Sequence, residues 1–205
     1  MKLANKEYRI LDQTALQLRL DYDFLDDELD VNQLAKAMSV TLVAYSQIES
    51  KAKEYILSKK DKISDGFFVL ENGKYSSPII FYNDEMFKYR IKFTICHELG
   101  HYVSGDKKDG AFEEAKANHF ARQLLVPTCL VFVCILKKCN EYDLAFKFNV
   151  SLEVATNAYT HASNRIKYRR YKLEDYEIEF MNAYYKKYYG IEFDNYQSLM
   201  DDIKK

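Results

Sequence analysis

The stretch His97-Glu98-Leu99-Gly100-His101 holds the chemistry of this chain. It is an H-E-x-x-H pentad. On an α-helix its two histidines stand at i and i+4, on one face and about 6 Å apart along the axis, a separation from which two imidazoles can hold one metal ion. Glu98 lies beside them, close enough to reach a metal-bound water without ligating the metal. A two-histidine metal site with an open position lowers the pKa of its water to about 7, and a neighbouring carboxylate can then take the proton.

Two elements must position these groups. Before the pentad, Asn83-Asp84-Glu85 offers a helix cap and an acidic first turn, and Met86, Arg90, Lys92, Phe93 and Ile95 continue with no Pro or Gly until Gly100. After it, Gly105 and Gly110 bracket a polar loop, and a second helix can start near Asp109. That helix carries Glu114 and, one turn on, Asn118. A carboxylate ligand followed at i+4 by a side chain able to hold a histidine ring would put a ligand and its support on one helix.

These residues resemble the ImmA/IrrE metallopeptidases. The signature of that family is H-E-L-G-H followed by E-x-x-A-N-x-F-A-x-x-L-L-x-P. It is matched by His97–His101 and then by Glu114-Ala115-Lys116-Ala117-Asn118-His119-Phe120-Ala121-Arg122-Gln123-Leu124-Leu125-Val126-Pro127. The lead-in Arg90-Ile91-Lys92-Phe93-Thr94-Ile95-Cys96 is similar as well. The resemblance implies a single Zn2+ in a gluzincin-like site, with His97, His101 and Glu114 as ligands, Glu98 as general base and Asn118 orienting a ligand histidine. Glu113 is the rival third ligand. It sits about 100° round the helix from Glu114, so both cannot point at one metal, and the family spacing favours Glu114. These motifs do not fix an oxyanion-stabilising residue; Tyr102, His119, His161 and the tyrosines of the C-terminal half are all candidates. The implied partner is a protein substrate, a helix-turn-helix repressor encoded on a mobile element or in a stress-response operon.

Composition fits an ordinary globular protein. The 205 residues are 48 % hydrophobic and 30 % charged, enough for one substantial core. A net charge of −1 gives no global polycation for nucleic acid. Met1–Leu20 shows no apolar signal region, and the strongest apolar run, Cys129–Leu136, is too short to span a bilayer. The expectation is a cytoplasmic protein, with no membrane partner, whose four cysteines (96, 129, 134 and 139) stay reduced as small core residues, with redox sensing as an alternative. They form no C-x-x-C pair for a rival metal site.

The fold class expected is α+β: mostly helical, with a small antiparallel sheet before the pentad helix and a helical C-terminal lobe. Residues 1–127 read as the peptidase domain and 128–205 as a helical region. Along the chain, Leu3–Leu20 carries spaced apolar residues, and Asp21–Asp30 reads as a solvated acidic linker leading into a helix at Val31–Met38. Thr41–Ser46 is β-branched and apolar, and Ile48–Lys60 reads as helix. Gly66–Leu70 and Pro78–Tyr82 read as strands of a hairpin turned by Glu71-Asn72-Gly73-Lys74. The exposed edge of such a sheet would take substrate as an added strand.

Beyond Pro127, Leu144–Ala155 reads as helix, turn, helix. Residues 152–163 contain no Lys or Arg, which argues against a DNA-recognition helix. Arg165–Lys172 is a basic and aromatic cluster, read as an amphipathic surface helix, with contact to nucleic acid or to an acidic substrate patch as the alternative. Tyr176–Tyr189 reads as helix and Asp194–Lys205 as a fraying end. Two other function classes compete with the endopeptidase: a metal-dependent regulator that binds a repressor or stress partner, and a DNA-binding regulator with a structural metal. The intact Glu98 speaks against the first. The second predicts salt-sensitive duplex binding. The acidic stretch 21–30 and the loop Ser104–Gly110 are candidate gates to the site.

Overall fold

A computed structural model of the chain describes residues 3–49, 65–70, 77–106, 110–169, 172–193 and 196–203. It is an α+β protein dominated by helices. The expected helix Ile48–Lys60, from residue 50 on, and the expected hairpin turn 71–74 lie outside the described residues. Contacts divide the chain into two units: residues 1–3 with 30–121, and residues 4–29 with 122–205. The sequence places the N-terminal helices with the pentad, whereas contacts group the first of them with the C-terminal helices.

The first unit begins with α2 (Val31–Ala37), capped by the Asp30 carboxylate, which accepts from the N–H groups of Asn32 and Gln33. Strands β1 (Thr41–Ala44), β2 (Gly66–Val69) and β3 (Ile79–Tyr82) follow, with a short 3-10 turn over Tyr45–Gln47. The sheet order is β1-β3-β2. The β2–β3 pair is antiparallel as expected, with Phe67 opposite Phe81. The sheet as a whole is mixed, which corrects the antiparallel expectation: β1 runs parallel to β3, with Val43 opposite Phe81. The apolar run at Thr41 is itself a strand, and β3 takes the central place with Ile80 fully buried. Pro78 precedes the paired residues, and its carbonyl accepts from the Thr41 N–H at 2.9 Å.

Helices α3 (Lys88–Ser104) and α4 (Ala111–Leu125) carry the motifs. α3 starts later than Asn83–Glu85. Asn83 Oδ1 accepts from the Glu85 N–H in a turn, and Asp84 accepts from the Ser46 N–H at 3.1 Å and the Ser46 hydroxyl at 2.6 Å. Those polar side chains are thus consumed by the loop rather than by a helix cap. α3 stops at Gly105, which takes φ 65. α3 and α4 cross closely at Gly100: a Cβ there would sit 3.0 Å from Phe120 Cδ1 and 3.1 Å from Ala117 Cα. Glycine gives that approach without displacing a neighbour, whereas a Cβ would have to push Phe120 or Ala117 back by a few tenths of an ångström.

The second unit contains α1 (Asn5–Asp21), α5 (Thr128–Leu136), α6 (Glu141–Phe148), α7 (Leu152–Arg169), α8 (Asp175–Tyr189) and α9 (Tyr196–Ile203). α1 packs on α8, and α5 on α7. Arg19 is fully buried at the end of α1, with its guanidinium donating to the carbonyls of Phe24, Asp26 and Leu124. The acidic stretch keeps most of its carboxylates exposed and also ties the chain. Asp27 accepts from Tyr184 at 3.0 Å and Lys147 at 2.5 Å, Asp26 from Tyr188, and Glu28 from Asn149. Asp30 alone serves the expected helix start. In the basic cluster Arg165 turns inward and pairs with the fully buried Glu177, while Lys167 and Tyr168 stay exposed; residues 170–171 lie outside the described residues. Residues 196–203 form α9 instead of fraying.

Candidate metal centre

α3 holds His97 and His101 one turn apart, ring centroids 4.8 Å from each other and planes 76° apart. Their Nε2 atoms face each other at 3.1 Å. Glu114, from α4, closes the triangle: its Oε2 lies 3.4 Å from His97 Nε2 and its Oε1 3.3 Å from His101 Nε2. The ligand atoms of the three residues all lie within 4.8 Å of one another. Glu113 turns back towards Gly110 instead. The close crossing at Gly100 and Ala117 is what brings α4 near enough for Glu114 to meet both rings.

Each ring is held from behind. His97 Nδ1 is 3.1 Å from Asn118 Oδ1, an acceptor that places the proton on Nδ1 and leaves the Nε2 lone pair facing Glu114. His101 Nδ1 is 3.1 Å from Asp106 Oδ2, and the other oxygen of Asp106 is 2.5 Å from Lys116 Nζ. Asp106 is a contact of the site that the sequence reading missed. The cap after Gly105 places it: the Gly105 N–H donates to Tyr102 O and the Asp106 N–H to His101 O, both at 3.1 Å. The available signal was Asp directly after a helix-ending Gly, five positions beyond the second histidine. Burial first, and then the charge of His101, hold the His97 imidazolium below its usual pKa of 6.5, so the ring is neutral near pH 7.

Glu98 is buried beside this cluster. Gly66, opening β2, lies over it: a Cβ there would be 3.6 Å from Glu98 Cγ, 2.6 Å from Thr94 Cγ2 and 2.8 Å from the Phe81 carbonyl. Strand β2 therefore approaches α3 as closely as a chain without a side chain can. Phe68 of β2 stacks on the His101 ring at 6.2 Å, and Phe93 leans on His97 at 6.4 Å. Arg90 Nε donates to Asp65 Oδ2 at 2.6 Å and ties the start of β2 to α3. Of the oxyanion candidates, His161 rests against Tyr8 in the second unit. Tyr102 and His119 stand about 100° round their helices from His101 and Asn118.

The donor set suits zinc. Bonds of about 2.0–2.1 Å at tetrahedral angles separate ligand atoms by about 3.3 Å; the two Nε2 atoms stand 3.1 Å apart, and the Glu114 carboxylate turns one oxygen to each ring, with one ligand atom from each residue lying within 4.8 Å of the others. Two imidazoles and one carboxylate with an open fourth position are the donors of a hydrolytic centre rather than of a closed structural one.

The class defined by this arrangement is that of proteins carrying an H-E-x-x-H helix with a glutamate from the next helix. Comparison with family models then gives the family: the model described as the IrrE N-terminal-like domain, a peptidase family, matches residues 49–160, more than half of the chain. The chain belongs to that family. No curated protein and no solved structure matches it.

Proposed function

We propose that the chain is an intracellular zinc-dependent endopeptidase whose substrate is a helix-turn-helix repressor in a mobile-element or stress-response setting. The observation that carries the enzymatic reading is the convergence of His97, His101 and Glu114 within 4.8 Å in a member of a peptidase family. His97, His101 and Glu114 would hold a Zn2+, with Asn118 and Asp106 keeping the two rings turned towards it. Zinc bound there would supply Lewis-acid chemistry, polarising a scissile carbonyl and acidifying a water. Glu98 is the general base, placed to accept a proton from the attacking water and to return it to the leaving amine. Its burial under β2 strengthens its electrostatic interactions there. The outer edge of β2 takes the substrate as an added strand, which brings the scissile bond over the pentad.

A cytoplasmic setting is supported by two facts. Among the described residues no single helix is long and apolar enough to cross a membrane, and the four cysteines are free thiols. Direct DNA binding finds little support: α7 offers no Lys or Arg over 152–163, and Arg165 is engaged with Glu177.

Elemental analysis of wild type, Glu98→Gln and Glu114→Gln, with co-expression of each beside the neighbouring helix-turn-helix repressor, tests the proposal. The expected result is zinc retained but cleavage abolished in Glu98→Gln, and zinc lost in Glu114→Gln. Equal zinc in all three, with no cleavage by wild type, would overturn the ligand assignment and the peptidase reading together.

A further inference from the structure

α5 ends in a cap that brings two thiols together. Lys138 takes the left-handed conformation, with φ 62. Its N–H donates to Ile135 O at 3.0 Å, and the Cys139 N–H donates to Cys134 O at 2.9 Å. This is the Schellman arrangement, in which the side chain following the left-handed residue folds back onto the side chain five positions earlier. At the end of α3 the same arrangement sets Asp106 against His101. At the end of α5 both partners are cysteines, and their thiols lie within hydrogen-bonding reach of each other.

The backbone bond also limits how far apart the two residues stand. One N–Cα bond, the 2.9 Å hydrogen bond and one Cα-to-O span, laid end to end, cap the Cα separation at about 6.8 Å. A disulfide bridges Cα atoms about 4.4–6.8 Å apart. The pair therefore fits a disulfide with little backbone movement.

We propose that Cys134 and Cys139 form an oxidisable dithiol, which a hydroperoxide converts to an intrachain disulfide. The two thiols divide the work by their exposure. Cys139 is half-buried and meets the oxidant. Cys134 is 4 % exposed, burial pushes its thiol up to about 12, and it does not compete for the peroxide. The Cys139 thiolate attacks one peroxide oxygen, the O–O bond breaks, and the alcohol leaves with a proton, giving a sulfenic acid. The Cys134 sulfur then attacks Cys139 Sγ. The S–O bond breaks, water leaves with the Cys134 proton, and the S–S bond forms. In sum, two thiols and one hydroperoxide give one disulfide, one alcohol and one water. The nearby Lys147 ammonium favours the Cys134 thiolate in this second step.

The bond would lock the corner leading into α6. That helix is capped by Asn140, and its Lys147 and the following Asn149 hold Asp27 and Glu28. The remaining cysteines, Cys96 and Cys129, are 0 % and 1 % exposed and take no part.

Treating the reduced full chain with hydrogen peroxide and mapping alkylated peptides tests the proposal. The thiol count after denaturation should fall from four to two, with Cys134 and Cys139 lost together, the chain still monomeric on a non-reducing gel, and both thiols recovered by dithiothreitol. In Cys134→Ser, dimedone should trap Cys139 as the sulfenic acid. Overoxidation of Cys139 in wild type while Cys134 stays alkylable would overturn the proposal. So would a disulfide between chains, or a peroxide-inert Cys139.

Discussion

Asp106 is bound to His101 twice. Its backbone N–H donates to the histidine carbonyl at 3.1 Å, and its carboxylate meets the Nδ1 of the same residue, also at 3.1 Å. The groups that end a helix thus also aim the ring of a candidate metal ligand. The first bond satisfies a carbonyl left over at the helix end, and the second fixes the tautomer and direction of the ring.

Removing that carboxylate should loosen the metal without removing a ligand. Asp106→Ala is expected to lower zinc affinity about 10–100-fold, read by competition with a chromogenic chelator. An unchanged affinity would show that His101 needs no such support.

Gly100→Ala acts through the distance between helices. The added methyl meets Phe120 Cδ1 at 3.0 Å and the Ala117 backbone at 3.1 Å, so α3 and α4 must part. A stability loss of about 1–3 kcal/mol in urea unfolding should accompany reduced zinc content. Full zinc occupancy at wild-type stability would mean the crossing has slack.

Gly66→Ala separates binding from chemistry. The methyl collides with Thr94 Cγ2 and the Phe81 carbonyl and pushes β2 off α3, while the three proposed zinc ligands lie on α3 and α4. Cleavage should fall about 10–100-fold with the metal retained. Concurrent loss of zinc would place β2 among the supports of the metal instead.

The metal-free protein should weaken in acid. The folded-state pKa of His97 lies below its ordinary value of 6.5, so the unfolded chain binds the proton more readily. The contribution is complete above pH 6.5 and is lost as pH falls through the depressed folded value. Melting temperatures of the metal-free protein, taken across this range for wild type and His97→Asn, should show a shallower decline in the variant. Parallel curves would remove His97 as the cause.

Lys138→Gly addresses the left-handed cap of α5. A non-glycine residue at φ 62 pays a steric cost that glycine avoids, offset in part by the greater freedom of glycine when unfolded. A net gain of about 0.5–1 kcal/mol is expected in urea unfolding; a loss would show that the lysine side chain makes a compensating contact.

What the sequence disclosed of the site was whatever helix periodicity controls. The pentad face follows from a spacing of four within one helix, and so it was visible; Glu114 over Glu113, and the role of Asn118, came from the resemblance to the family signature. Asp106 was not, because its position depends on the left-handed turn of Gly105 rather than on a repeat. Gly100 and Gly66 matter through what lies across from them, which no local pattern records. The sheet shows the same division. The β2–β3 pair was legible from two apolar runs, whereas the parallel β1–β3 pair joins segments with no short turn between them. The partners of the acidic stretch were hidden because they are remote in sequence: Lys147 lies 120 positions from Asp27, and Tyr184 lies 157.

That remoteness has a kinetic side. The second unit joins residues 4–29 to residues 122–205, so α1 meets its partner α8 only after the intervening chain has been made. Contacts of such long sequence separation form slowly, because loop closure precedes any gain from packing. During synthesis the segments of the first unit emerge ahead of α8, while α1 and the acidic stretch still lack their partners. The helices that carry the pentad and Glu114 are therefore made before α1 can meet α8, and the packing of α1 waits on the C-terminal part of its own unit.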